Sequence, residues 1–219
     1  MKSPAKPTIK GIIFDMDNTL LRSSIDFHSM KRDTYHYLVE SQFLPPDWNL
    51  DQHTTSTIIT EAISTNKMGP EHLRKMWDIA KKYEVDGMRG AKLEKGVVDF
   101  LNEIRGVYNL AVVTNNAVEA AETALRDNDI LPYFDLVVGR ERMNRVKPSP
   151  DGFLYVLQQF KKTTPQEWIS VGDAWIDGKA SIAAGIPFVA YNGDSDKMKQ
   201  HGVVPCGEIS DIRELKRFL

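Results

Sequence analysis

The sequence predicts an α/β protein: a parallel sheet sandwiched between helices and interrupted, after its first strand, by an all-helical insertion. Three observations carry this. Five short runs rich in Val, Ile, Leu and Phe, at residues 9–14, 110–113, 134–138, 168–171 and 188–191, are apolar without alternation. That is the pattern of strands covered on both faces. Segments with apolar residues at helical spacing separate the runs, and such alternation builds parallel sheets with right-handed crossovers. Finally, residues 23–88 contain no convincing strand.

In chain order, the first run leads into Asp15-Met16-Asp17-Asn18-Thr19. The insertion then reads as helices over residues 27–43, 54–65 and 71–83, punctuated by Pro45-Pro46 and Gly69-Pro70. Beyond it, helical spacing recurs at residues 97–105, 117–127, 152–160 and 179–184. Ser149 before Pro150 reads as an N-cap, with Asp151 favourable in the first turn, and Gly185 as a C-terminal stop. Residues 209–219 read as a closing amphipathic helix with Ser210 as its N-cap. The expected division is a core of residues 1–22 and 89–219 and a helical cap of residues 23–88.

Composition narrows the function classes. The chain has 219 residues, 42% of them hydrophobic and 26% charged, as in soluble globular proteins. With Lys plus Arg at 28 against 30 Asp plus Glu and no basic block, nucleic acid is a poor partner. The one cysteine, Cys206, cannot form an internal disulfide, and no Cys/His cluster points to zinc. Residues 1–10 lack the apolar stretch of a signal peptide and no run is long enough to span a membrane, so a cytoplasmic location is expected.

The chemistry lies at the ends of the apolar runs. Asp15 and Asp17 come directly after the first, Thr114-Asn115-Asn116 after the second, Gly172-Asp173 with Asp177 after the fourth, and Asn192 after the fifth. Open parallel sheets bind ligands at the carboxyl ends of their strands, so these residues are expected in one crevice. An isolated Asp-x-Asp is ordinarily a solvated turn; its place directly after a buried strand, with a second acidic pair after another, reverses that reading. Asp15, Asp17 and Asp173 are expected to converge. Two carboxylates about 4 Å apart repel by roughly 4 kcal/mol at an effective dielectric near 20. An oxygen-only cluster of this kind calls for a hard cation such as Mg²⁺. Lys147, held extended by Pro148, can reach the crevice to keep a carboxylate ionised and meet phosphate charge. Asp173 sits near a helix start with Asp177 one turn further on; Asp177 reads equally well as an acidic first-turn residue favoured by the helix dipole.

These motifs, Asp15-x-Asp17-x-Thr19, Thr114-Asn115, Lys147-Pro148 and Gly172-Asp173-x-x-x-Asp177, resemble in order those of the haloacid dehalogenase superfamily, over nearly the whole chain. The helical insertion is similar to its phosphoglycolate-phosphatase-like and β-phosphoglucomutase-like branch. The resemblance implies a Rossmann-like core and a Mg²⁺-dependent phosphatase of a small phosphorylated metabolite. In it, Asp15 is the nucleophile that becomes an aspartyl phosphate, and Asp17 the general acid and base. Asp15, the Asp17 carbonyl and Asp173 hold the metal, and Thr114, Asn115 and Lys147 grip the phosphate. Asp177 supports Lys147 or the metal shell. An acid at Asp17 favours phosphoryl chemistry over dehalogenation, because a halide leaving group needs no proton. Trp175, bulky beside Asp173, departs from the pattern and could narrow the entrance.

The insertion should select the substrate, and there the sequence thins. His28, Lys31, Arg32, Tyr35 and His36 are candidates for its inner face. Lys67 is a candidate specificity residue, although a solvated loop lysine is the plainer reading; as a Schiff-base nucleophile it would mark a phosphonate hydrolase. A sugar-phosphate mutase would use the same core chemistry. A non-catalytic phospho-aspartate module fits less well, since receiver domains lack a cap and carry the acidic pair and the phosphorylated Asp on different strands. Oligomeric state is left open.

Overall fold

The computed structural model describes residues 8–219, so most of the N-terminal stretch considered above as a leader, residues 1–7, lies outside the described residues. The elements follow in the order β1 (Gly11–Phe14), β2 (Leu21–Arg22), α1 (Phe27–Glu40), α2 (Thr55–Ser64), α3 (Pro70–Met88), β3 (Lys92–Leu93), α4 (Val97–Ile104), β4 (Asn109–Val113), α5 (Val118–Asp127) and β5 (Leu136–Val138). Then come α6 (Asp151–Gln159), β6 (Trp168–Gly172), α7 (Trp175–Ala183), β7 (Phe188–Tyr191), α8 (Ser195–Gln200) and β8 (Gly207–Ile209). Six strands form one parallel sheet in the order β5-β4-β1-β6-β7-β8.

The unbroken apolar runs are explained by cover on both faces. In β1, Ile12 and Phe14 join Val112 and Val171 in a core that reaches Phe100 of α4 and Leu125 of α5. Ile13 points the other way, to Val113, Phe153 of α6 and Ala180 of α7. Successive strand residues face opposite sides, so a strand with helices above and below has no polar face to show.

The chain leaves β1 toward β4 on one side and returns to β6 on the other, which puts the change of winding direction at β1. Connections diverging there open a crevice at the carboxyl ends of β4, β1 and β6. Between β2 and β3, which pair antiparallel, the three helices α1–α3 pack around a separate apolar cluster including Leu38, Ile58, Ile59 and Met76. Met30, Ala80 and Met88 of the same helices join the main core.

Local chemistry departs from expectation at three places. Strand β8 has no counterpart among the apolar runs of the sequence. The closing segment is a 3-10 helix over Ile212–Phe218 capped by Asp211 rather than Ser210. Asp211 accepts from the Arg213 amide, while Glu214 reaches back to the Asp211 N–H, so the reciprocal cap forms one residue later. Helix α6 begins at Asp151, and Ser149 bonds the Asp151 carboxylate instead of capping backbone, leaving the other Asp151 oxygen to accept from the Arg145 N–H at 3.1 Å.

Candidate active site

Asp15 follows β1 directly and is 9% exposed, pinned by its N–H donating to the Val171 carbonyl at 2.9 Å. Its Oδ1 accepts from Lys147 Nζ at 2.6 Å, and no donor among the described residues meets its Oδ2. Lys147 is 2% exposed and its ammonium has three neighbours. Besides Asp15 these are the Val113 carbonyl at 2.8 Å and Asp177 Oδ1 at 2.7 Å, the last an ion pair without the alignment of a hydrogen bond.

The backbone at Lys147, whose bond to Pro148 is cis, is locked to the loop after β4. Its N–H donates to Asn115 Oδ1 at 2.8 Å, and Asn115 Nδ2 donates back to its carbonyl at 3.0 Å. Asp177 is held by the Ala174 N–H, which donates to its Oδ2 at 3.0 Å. Gly172 makes room for this: a Cβ there would lie 2.7 Å from that same carboxylate oxygen.

Asp15, Asp173 and Asp177 form the acidic cluster, each offering an oxygen within 4.8 Å of the others. Asp15 and Asp173 of the expected trio are among its members. The Asp17 side chain lines the same cavity but turns to Asn116, whose Nδ2 donates to Asp17 Oδ2 at 2.8 Å. The Asp17 carbonyl accepts no hydrogen bond from the described residues.

Burial governs the titration. It pushes Asp15 well above the usual carboxylate range, against the pull of Lys147 and with the charges of Asp177 and Asp173 adding to the rise. Burial also lifts Asp173 to about 7, reinforced by Asp177, and Asp17 to about 6, against its bond from Asn116. Burial alone would lower Lys147, but Asp15 and Asp177 outweigh it and hold the ammonium above its ordinary value. One buried cation among several carboxylates leaves an excess of negative charge. An oxygen-only donor set with that excess suits a hard divalent cation.

Of the remaining expected residues, Thr114 is buried and its Oγ1 accepts from the Asn116 N–H at 3.2 Å, while the Asn115 N–H has no acceptor among the described residues. Lys67 is exposed and lies outside the cavity lining. His28 and Lys31 line the cavity, whereas Arg32, Tyr35 and His36 do not. Tyr35 is core, its hydroxyl donating to the Pro45 carbonyl at 2.6 Å, and His36 pairs with Glu40. Trp175 lines the cavity, its ring stacked on His201 with centroids 3.6 Å apart.

Three contributors do not stand out in the sequence: Ser56, Glu84 and Arg140. Ser56 Oγ of α2 accepts from Asn115 Nδ2 at 2.7 Å, and Glu84 of α3 pairs with Arg140. Glu84 carries a readable signal, because Met76, Ala80, Glu84 and Met88 recur every four residues on the buried stripe of α3. The whole cavity, about 870 Å³, is of a size for a small molecule.

Comparison with known proteins agrees with this architecture. The model of the haloacid dehalogenase-like hydrolase family matches residues 12–191. The chain is 27% identical over 192 residues to phosphoglycolate phosphatase of Rhodobacter capsulatus, an alignment covering 83% of each protein. Among solved structures, CbbY from Rhodobacter sphaeroides in complex with phosphate aligns with a TM-score of 0.66 at 18% identity, covering 95% of this chain and 96% of that one. The magnesium-bound structure of YfnB from Bacillus subtilis aligns with a TM-score of 0.62 at 19% identity, covering 97% and 99%.

Proposed function

Because this chain belongs to the haloacid dehalogenase-like hydrolase family, we propose that it is a Mg²⁺-dependent phosphatase that hydrolyses a small phosphorylated metabolite through an aspartyl phosphate on Asp15. The observation that carries the reading is the Asp15 carboxylate: one oxygen is held by Lys147 and the other has no partner among the described residues, at the floor of a cavity lined by Asp17, Thr114, Asn115 and Asp173.

Asp15 Oδ2 attacks phosphorus as the bond to the leaving oxygen breaks, and Asp17 gives that oxygen its proton. Asp17 then takes a proton from the water that attacks the acyl phosphate, and the bond between phosphorus and Asp15 breaks to release inorganic phosphate. Burial that brings Asp17 to about 6 suits both halves, since a group titrating near working pH can donate and accept. Thr114 Oγ1 and the Asn115 N–H steady the phosphoryl oxygens, and Lys147 favours the ionised form of Asp15 against its burial while Asp177 holds Lys147 in place. The Asp15 and Asp173 carboxylates and the Asp17 carbonyl would hold Mg²⁺, which when bound supplies the positive charge that lets a phosphate enter an acidic pocket.

Helices α1–α3 act as the cap over the core in this reading, and the proteins similar to this chain that are called phosphoglycolate phosphatases support a small anionic substrate. Among the described residues no helix is long and apolar enough to cross a membrane; we place the enzyme in the cytoplasm. The test is release of phosphate from an aryl phosphate with Mg²⁺ and with EDTA, by the native chain and by Asp15→Asn. Loss of turnover in EDTA and in Asp15→Asn is expected; an active Asp15→Asn enzyme would remove the nucleophile.

A further inference from the structure

Glu84 is a buried carboxylate to which the proposed chemistry gives no task. It sits near the end of α3, is 3% exposed, and lines the catalytic cavity. Its Oε1 accepts from Arg140 Nη1, and its Oε2 accepts from the Ala117 N–H at 3.2 Å. Arg140, also buried, lies over the Trp77 ring of α3 at 4.8 Å from its centroid, and its Nη1 is 3.5 Å from the Asn115 carbonyl. The Arg140 N–H donates to the Asn116 carbonyl at 3.0 Å. Together the two residues hold the backbone of Asn115, Asn116 and Ala117, the loop that carries the unpartnered Asn115 N–H.

An ion pair is a costly way to join two segments when apolar side chains would serve, because both charges must be stripped of water. What the pair adds is direction: a carboxylate accepting an amide and a planar guanidinium meeting a carbonyl fix the loop's orientation as methyl groups cannot. We propose that Glu84 and Arg140 are positioning residues that aim the Asn115 N–H at the phosphate and couple the seating of the inserted helices to phosphate binding. The inference rests on the phosphatase reading above. Ser56 of α2, accepting from the Asn115 side chain, joins the same loop to the insertion from a second helix.

The test replaces the pair with apolar side chains in the double variant Glu84→Leu/Arg140→Met, which keeps the volume filled and removes both charges. Replacements of this kind tend to preserve stability. Inhibition by inorganic phosphate, kcat and KM for an aryl phosphate, and Tm are measured together. Expected is a loss of about 10- to 100-fold in both phosphate affinity and kcat, with Tm near that of the native chain, because small displacements of a binding group cost this much. Arg140→Lys keeps a cation beside Glu84 without the planar fork and serves where the double variant does not fold; its phosphate inhibition constant is expected to rise about 10-fold. Native phosphate inhibition and kcat in a folded double variant, or in Arg140→Lys, would overturn the proposal. A native chain that neither turns over aryl phosphate nor binds inorganic phosphate by calorimetry would instead sink the phosphatase reading.

Discussion

Replacing Lys147 with Met should destabilise the protein in a way that grows with pH. The ammonium stands 2.6 Å from Asp15 and 2.7 Å from Asp177. At an effective dielectric near 20 each contact carries about 6 kcal/mol of attraction, most of it offset by the desolvation of burying the three charges. Breaking a buried pair by removing one partner typically costs about 3–5 kcal/mol, because the other charge is left uncompensated. Burial already raises Asp15, and Lys147 opposes that rise. Without the lysine the folded pKa moves further above the unfolded value near 3.9. Between those values the folded state binds a proton that the unfolded state has released, so stability falls as pH increases. The native chain shares this loss up to its own raised Asp15 value; above that, only the variant's folded state still holds the proton, so the gap between the two widens with pH, by up to about 1.4 kcal/mol per pH unit for that group. Urea unfolding in EDTA at pH 5 and pH 8 reads this directly: the variant is less stable than the native chain at both values, and the deficit is larger at pH 8. A variant as stable as the native protein at pH 8, or a deficit that does not change with pH, would refute the reasoning. Phosphate release should be abolished at both values.

Other changes probe separate parts of the site and fold. Asp173→Asn removes a carboxylate from the proposed metal shell, so half-maximal activation should need at least about 10-fold more Mg²⁺, as read from a metal titration of phosphate release. Asp211→Ala removes the cap of the closing 3-10 helix and should cost about 1 kcal/mol in thermal melts at pH 6. The Arg213 side chain and N–H hold Asp211 down to about 2, below its unfolded value. Its contribution is therefore present above about pH 4 and lost as pH falls toward 2, and the gap between variant and native melts should begin to narrow at pH 3. The pair is partly solvated, so that pH-linked share is small.

The central sheet was legible because burial on both faces leaves a mark in one dimension, an apolar run such as Gly11–Phe14 with no polar alternation. The three residues of β8 leave none: Glu208 is exposed, and the strand exists only because it pairs with β7. The cap at Asp211 and the uncapped start of α6 escape a sequence reading because neighbouring side chains compete for the same few amides, a contest that spacing cannot decide. The strand-end residues Asp15, Thr114 and Asp173 were legible because a parallel sheet delivers its carboxyl ends to one edge. Asp177 beside Asp173 in the cluster was less so: turning back to meet it depends on the space left at Gly172. Contacts from the insertion were hardest, since Ser56 lies 59 residues from its partner Asn115. Glu84 was also missed, although an acid on the buried stripe of α3 is a signal the sequence carries.

The antiparallel pair of β2 and β3 brings the two ends of the insertion side by side, with Leu21 opposite Leu93 and Arg22 opposite Lys92. A two-residue hairpin turn could bridge Arg22 and Lys92 and carry the chain from β1 to α4 without disturbing the sheet. The helices between them are thus a graftable module: one helical insert can be exchanged for another at a single doorway, provided the newcomer replaces the apolar plugs that Met30, Ala80 and Met88 press into the core.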